Sequence, residues 1–170
     1  MKSILFLTAL MLFSCGGKPA QEPPRSSSRA KPGIPAPGFT LQSIEGKSVN
    51  LEDFRGKVVL LDFWATWCGP CRMTTPILKK LNEKLKGRDF AILSISVDET
   101  RSDVPPFIKK ENIPYTILYA DDAVQMNYRI RAIPTFFLID KKGMVAEKYE
   151  GFNPAFEQTW ENEINALLKT

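Results

Sequence analysis

The sequence predicts an α/β fold in which helices flank a central mixed β-sheet. Four apolar runs have the length and composition of buried strands: residues 58–61, 90–97, 115–119 and 135–139. The segment after the first run has apolar residues at helical spacing between lysines: Ile77, Leu78, Leu81 and Leu85. Strands that alternate with helices are typical of parallel units, and a closing hairpin would add antiparallel strands.

The first 14 residues predict a cleaved signal peptide. Lys2 precedes an apolar run at residues 4–13, which is too short to span a bilayer as a lasting helix. Leu12-Phe-Ser-Cys15 resembles a lipobox, which predicts cleavage before Cys15 and lipidation of that cysteine. The alternative is a plain secretory signal with an incidental cysteine. The lipoprotein interpretation is favoured because the apolar run ends at Cys15 and a linker begins there.

Residues 15–34 predict a flexible tether, and residues 35–170 a single folded domain. The tether is rich in proline, serine and charged residues and offers almost nothing to a core. The domain opens with a predicted hairpin, in which residues 35–41 and 49–51 are joined by a turn at Glu45-Gly-Lys47. A net charge of +4 is too weak and dispersed to indicate a nucleic-acid partner.

The motif Trp67-Cys-Gly-Pro-Cys71 predicts a redox site. It lies between a buried strand and an amphipathic helix, so Cys68 is expected at a helix N-terminus, where free N–H groups favour a thiolate. Pro70 suits the first turn of a helix. A zinc site would need two further ligands, but the chain has no histidine and only one other cysteine, Cys15.

The remaining elements follow in order. The sequence predicts a strand at 90–97, a loop at 98–102, a helix at 103–112, a strand at 115–119, a helix at 121–128, a strand at 135–139, a turn at 140–143, a strand at 144–149 and a helix that begins at Asn153-Pro154. Asp103, before Val-Pro-Pro106, is a predicted N-cap. In the last helix, four residues share one face: Phe156, Trp160, Ile164 and Leu168.

Four motifs follow one another along the chain: Asp62-Phe-Trp64, the Trp-Cys-Gly-Pro-Cys sequence, Pro76 and Ile133-Pro134-Thr135. In these motifs, residues 37–170 resemble the TlpA/ResA-like branch of the thioredoxin superfamily, whose members are membrane-tethered in the bacterial envelope. The resemblance implies a thioredoxin fold with an N-terminal β-hairpin and an inserted βα segment. It also implies a cis Ile133–Pro134 bond that faces Cys68.

The same resemblance assigns roles to the site. Cys68 would attack the substrate disulfide, and Cys71 would resolve the mixed disulfide. Asp62 would be a buried carboxyl with a raised pKa that takes the proton of Cys71. Five residues are expected to contact substrate: Trp67, Gly69, Pro70, Ile133 and Pro134. Trp64 is interpreted equally well as core or as contact surface.

Two positions, Thr74 and Ser94, distinguish this chain within the superfamily. Thr74 replaces a glutamate that is common in the TlpA/ResA-like branch, and Ser94 stands where thioredoxins place a lysine opposite the buried aspartate. Without that lysine, Asp62 should be harder to ionise.

A peroxiredoxin would need proline and threonine seven and three residues before its nucleophile. Leu61 and Ala65 occupy those positions, which argues against that activity.

The resemblance implies a lipid-anchored, extracytoplasmic thiol–disulfide oxidoreductase that reduces envelope proteins, with apocytochromes c as a candidate substrate in cytochrome c maturation. A membrane thiol reductase would supply electrons. Apart from the Cys68–Cys71 disulfide, no cofactor or metal is expected, and the protein should be a monomer. Two alternatives remain: a disulfide-forming oxidase, and a metal-handling or purely binding module of the same fold.

Overall fold

A computed structural model describes residues 32–170. The predicted signal peptide, Cys15 and all but the last residues of the predicted tether lie outside the described residues. At the start of the described chain, the Gly33 N–H donates to the Val145 carbonyl, and the Val145 N–H donates to the Ile34 carbonyl, both at 2.9 Å. The chain is therefore already paired with the body of the domain at Gly33.

The described chain contains seven strands and four α-helices. The strands are β1 Thr40–Gln42, β2 Ser48–Asn50, β3 Val58–Trp64, β4 Phe90–Ser96, β5 Thr116–Tyr119, β6 Thr135–Ile139 and β7 Val145–Glu150. The α-helices are α1 Gly69–Lys84, α2 Val104–Glu111, α3 Asp122–Asn127 and α4 Phe156–Leu168. Short 3₁₀ helices precede β3 and α2, at Leu51–Phe54 and Arg101–Asp103.

The central sheet confirms the predicted α/β fold with a mixed sheet. Its strand order is β5-β4-β3-β6-β7. Strands β3, β4 and β5 are parallel to one another. Strand β6 is antiparallel to β3, and β7 is antiparallel to β6. The predicted N-terminal hairpin is also confirmed, because β1 and β2 form a separate antiparallel pair. Its turn contains Gly46 at φ +79°, a backbone conformation that suits glycine.

Strand β3 lies at the centre of the sheet, and all seven of its residues are buried. Successive side chains of a strand point to opposite faces, so the strand contributes to two core layers. Val58 and Leu60 pack with α1 and α4 on one face. Val59, Leu61 and Phe63 pack on the other face with the hairpin and with Tyr128. This central position places the end of β3 in the interior of the domain.

Local sequence signals locate the helices correctly, but one predicted capping role is wrong. Asp121, where the third helix was predicted to begin, caps α3, since its carboxylate accepts the Val124 N–H at 2.7 Å. Asp103 stands at the N-cap of α2, but in the described chain its side chain makes no capping hydrogen bond. Its backbone is already helical, because the 3₁₀ turn at Arg101–Asp103 runs directly into α2. The predicted capping role of Asp103 is therefore wrong.

The final helix buries the predicted face. Phe156, Trp160 and Ile164 are buried beneath the sheet, and Leu168 packs at the edge of the same cluster. In residues 32–170, no helix is both long enough and apolar enough to cross a membrane.

Candidate active site

The two cysteines of the motif lie where β3 passes into α1. Cys68 is the N-cap of α1, with an extended backbone, and Pro70 lies in the first turn. The Cys71 N–H donates to Cys68 Sγ at 3.2 Å, so the sulfur occupies the position of a capping acceptor. The two cysteines are joined as a disulfide. Both are largely buried, Cys68 being 5% and Cys71 2% exposed.

Three of the five predicted contact residues lie exposed on the surface around Cys68. Trp67 is 68% exposed, and Gly69 and Pro70 are exposed on the other side of the cysteine. The Ile133–Pro134 bond is cis, as the resemblance implied. Ile133 is half-buried and packs against the cluster that contains both cysteines, whereas Pro134 is buried. The fold therefore brings the cis-proline loop and the cysteine loop together.

The two tryptophans that precede the cysteines have different environments. Trp64 is 4% exposed and packs in the cluster with Cys68 and Cys71, against the ring of Phe107 in α2. It is therefore core, and Trp67 alone of the two offers a surface to a partner. Strand β3 ends at Trp64, and the turn that follows carries Trp67 out of the interior.

Asp62 is a buried carboxyl on the face of the sheet that α1 covers. Its neighbours on that face of β3 are Leu60, which packs with Leu78 and Leu81 of α1, and Trp64, which packs with the cysteines. Asp62 is 3% exposed, and its Oδ1 has no hydrogen-bond partner in the described chain. The carboxyl is therefore held beneath the first turns of α1, where Cys71 lies.

Burial raises the pKa of Asp62 to about 7. A hydrogen bond from Ser94 Oγ to Asp62 Oδ2, at 2.7 Å, acts in the opposite direction because it stabilises the charged form. Ser94 lies directly beside Asp62 in the β3–β4 register. Burial, followed by the charge of Asp62, raises the pKa of Tyr115. Asp62 thus has a neutral hydrogen-bond donor as its partner and titrates near neutrality.

Thr74, three residues after Cys71, is buried and adds no charge. Its hydroxyl donates to the Cys71 carbonyl at 2.8 Å, and the Thr75 hydroxyl donates to the same carbonyl at 3.2 Å. Helix α1 continues through Pro76. Asp62 is therefore the carboxyl that the fold places beneath the cysteines.

Three side chains near the cysteines were missed by the sequence reasoning: Thr66, Arg72 and Asp98. Asp98 lies just after β4, and its carboxylate accepts the backbone N–H and the hydroxyl of Thr66. Arg72 of α1 donates to the Thr66 carbonyl. The sequence contains no spacing signal for this group, because its members come from three different segments.

The positions that a peroxiredoxin would need are occupied by core residues. Leu61 and Ala65 are both fully buried and apolar. In residues 32–170, no three histidine, cysteine, aspartate or glutamate side chains form a group that could hold a metal ion.

Comparison with known proteins identifies the relatives of this chain. The model of the AhpC/TSA family matches residues 32–148. The thiol–disulfide oxidoreductase ResA of Bacillus cereus is 37% identical over 139 residues, which cover 81% of this chain and 77% of the relative. The thioredoxin-like protein YneN of Bacillus subtilis is 31% identical over 122 residues, covering 70% of this chain and 71% of the relative.

Solved structures of similar fold are also thiol–disulfide exchange proteins by name. A putative thiol:disulfide interchange protein DsbE from Chlorobium tepidum superposes with a TM-score of 0.76 at 34% identity, covering 81% of this chain and 98% of that one. A putative protein disulfide isomerase from Bacteroides thetaiotaomicron also gives 0.76 at 34% identity, covering 82% and 91%. The chain is therefore similar to thioredoxin-like oxidoreductases along nearly all of its described length.

Proposed function

This chain belongs to the AhpC/TSA family and is a thiol–disulfide oxidoreductase of thioredoxin-like fold, and from that premise we propose that it reduces disulfide bonds in proteins of the cell envelope. The observation that carries the proposal is the Cys68–Cys71 pair at the start of α1, above a buried Asp62. A dithiol of this kind can give two electrons to a substrate disulfide.

In the first step, the thiolate of Cys68 attacks one sulfur of the substrate disulfide. A bond forms between Cys68 Sγ and that sulfur, and the other substrate sulfur leaves as a thiolate. The N-terminal N–H groups of α1 favour the thiolate form of Cys68, as the contact from the Cys71 N–H to Cys68 Sγ indicates. Trp67, Gly69 and Pro70 border Cys68 and are exposed to an incoming substrate.

In the second step, Cys71 resolves the mixed disulfide. Its thiol gives its proton to the Asp62 carboxylate, and the resulting thiolate attacks Cys68 Sγ. The Cys68–Cys71 disulfide forms and the second substrate sulfur leaves as a thiolate. A base with a pKa of about 7 suits this transfer, because it is partly ionised at neutral pH. The substrate gains two electrons and the enzyme loses two.

We propose that an extended segment of the substrate lies along the cis-proline loop. Ile133 packs against the cysteine cluster, and Pro134 leads directly into β6. The backbone beside the proline would pair with this segment as it would with an added strand. Recognition through the backbone would let one site accept several protein substrates.

The oxidised enzyme must be reduced again, and a membrane thiol reductase is the proposed electron donor. Its dithiol would reduce the Cys68–Cys71 disulfide by the same two steps in reverse. The sequence before the domain supports placing the enzyme outside the cytoplasm, because Leu12-Phe-Ser-Cys15 resembles a lipobox. Proteins with Cys-x-x-Cys sites, apocytochromes c among them, are the proposed substrates.

The reduction potential of the pair tests the proposed direction of electron flow. We expect a value at or below about −220 mV, towards the thioredoxin end of the scale. The measurement equilibrates the chain carrying Cys15→Ala with glutathione or dithiothreitol, so that Cys68 and Cys71 are its only thiols. A potential near about −120 mV would instead identify a disulfide donor, and the reductase proposal would be rejected.

Replacing Cys15 with alanine tests the proposed anchor. The variant should move from the membrane to the soluble fraction of the cell envelope, because acyl chains could no longer be attached. Immunoblotting of the two fractions measures the change, with Cys71→Ser as a matched cysteine control that should stay with the membrane. Membrane retention of the Cys15→Ala variant would refute lipidation at this residue.

A further inference from the structure

The backbone of Thr66, two residues before Cys68, is bound at its N–H and at its carbonyl by two charged side chains. The Thr66 N–H donates to the two carboxylate oxygens of Asp98 at 3.1 and 3.0 Å, and Thr66 Oγ1 donates to Asp98 Oδ1 at 2.6 Å. Arg72 Nε and Nη2 donate to the Thr66 carbonyl at 3.1 and 2.7 Å. We name Asp98, Thr66 and Arg72 the loop clamp.

Both charged members of the loop clamp are themselves held in place. Ser96 Oγ donates to Asp98 Oδ2 at 2.8 Å, and the Asp98 N–H donates to Ser96 Oγ at 3.1 Å. The guanidinium of Arg72 lies 5.7 Å from the centre of the Phe107 ring, which packs in turn on Trp64. An anion is therefore bound at the N–H, and a cation at the carbonyl, of one residue in the turn that carries Cys68.

The geometry points to Asp98 and Arg72 as positioning residues that hold the cysteine turn and shift the redox equilibrium of the Cys68–Cys71 pair in opposite directions. This inference rests on the proposed function, in which Cys68 is the thiolate that reacts. Thr66 connects the two charges to the turn, because Asp98 binds its N–H and Arg72 binds its carbonyl.

The direction of each effect follows from the charge of the reduced enzyme. Reduction by glutathione converts the protein disulfide and two glutathione thiols into the protein dithiol and glutathione disulfide. The Cys68 thiolate exists only on the reduced side, and whatever stabilises it favours reduction. The guanidinium of Arg72 lies at the carbonyl of Thr66, two residues before Cys68, so its positive charge favours the reduced form. The negative charge of the Asp98 carboxylate disfavours the reduced form.

The test compares Arg72→Gln and Asp98→Asn in the full chain carrying Cys15→Ala, kept in detergent micelles. The equilibrium constant with glutathione is measured for each, together with the Cys68 thiol pKa from the pH dependence of its alkylation rate. Arg72→Gln should lower the equilibrium constant for reduction about two- to fivefold and raise the thiol pKa. Asp98→Asn should raise the constant by a similar factor and lower the thiol pKa.

Two further variants separate charge from a general loss of order. Lys80→Gln removes a cation from the same helix, where Lys80 pairs with Glu157 away from the cysteines, and should leave both quantities unchanged. Arg72→Lys keeps the charge, so its equilibrium constant with glutathione should be close to that of the parent protein. Shifts of the same sign in Arg72→Gln and Asp98→Asn, or no shift in either, would overturn the inference.

The outcome also separates this inference from the proposed function. A parent protein with a reducing potential but unresponsive variants would refute the loop clamp alone. A parent protein that does not exchange with glutathione would refute the proposed redox function itself.

Discussion

Replacing Cys68 with serine is expected to abolish disulfide reduction, with a loss of about three orders of magnitude or more. The reason is that the reaction begins with a bond between Cys68 Sγ and a substrate sulfur, and a serine hydroxyl at this position is not ionised near neutral pH. The measurement is the rate of reduction of a disulfide protein such as insulin, with dithiothreitol as the electron donor.

Cys71→Ser provides the matched variant for the same mechanism. It keeps the attacking thiol but lacks the resolving one, so it should accumulate a mixed disulfide between Cys68 and the substrate. Non-reducing electrophoresis with mass spectrometry would detect this species. If Cys71→Ser gave no mixed disulfide while Cys68→Ser did, the roles of the two cysteines would have to be exchanged.

Asp62→Asn is expected to change both stability and catalysis, in a pH-dependent way. The carboxyl has an ordinary pKa of 3.8 and a folded-state pKa of about 7, so between these values the folded protein binds a proton that the unfolded chain does not. The stability of the domain should therefore fall as pH rises from about 4 through 7 and then level off. A shift of this size corresponds to about 4 kcal/mol, as an upper limit.

The asparagine variant has no such titration. Its free energy of unfolding should be similar to that of the parent protein near pH 4 and larger at pH 8, because the cost of a buried anion is removed. Urea unfolding at both pH values, with the disulfide intact, measures the difference. Asp53→Asn, at an exposed aspartate, is the control and should leave the pH dependence unchanged. The same pH dependence in Asp62→Asn would show that Asp62 titrates normally.

The catalytic effect of Asp62→Asn should appear in the second step only. Without the carboxylate, Cys71 loses its proton acceptor, and release of the mixed disulfide should slow about a hundredfold near pH 7. Stopped-flow measurement separates this step from the attack by Cys68, which should change little. An unchanged release rate would remove Asp62 from the mechanism.

Sequence reasoning located the elements and the reactive pair because their signals are local. The alternation of apolar runs and helical spacing identified β3, α1, β4 and α4. The buried strand before the cysteines and the amphipathic pattern after them placed Cys68 at a helix N-terminus. The resemblance added the cis Ile133–Pro134 bond and the place of Asp62. The one capping role that was wrong, at Asp103, depended on whether the preceding turn was already helical.

Tertiary structure alone decided the surroundings of the reactive pair. Asp98 and Ser94 are each 32 residues from the partners that they bind, Thr66 and Asp62. They meet because β3 and β4 pair in parallel after the chain has passed through α1. The burial that raises the pKa of Asp62 likewise depends on elements packed from far along the chain. Local patterns therefore determine which segments form strands, helices and a reactive thiol. The charges and proton affinities around that thiol follow from strand pairing and burial, because these bring distant residues within a few ångströms of each other.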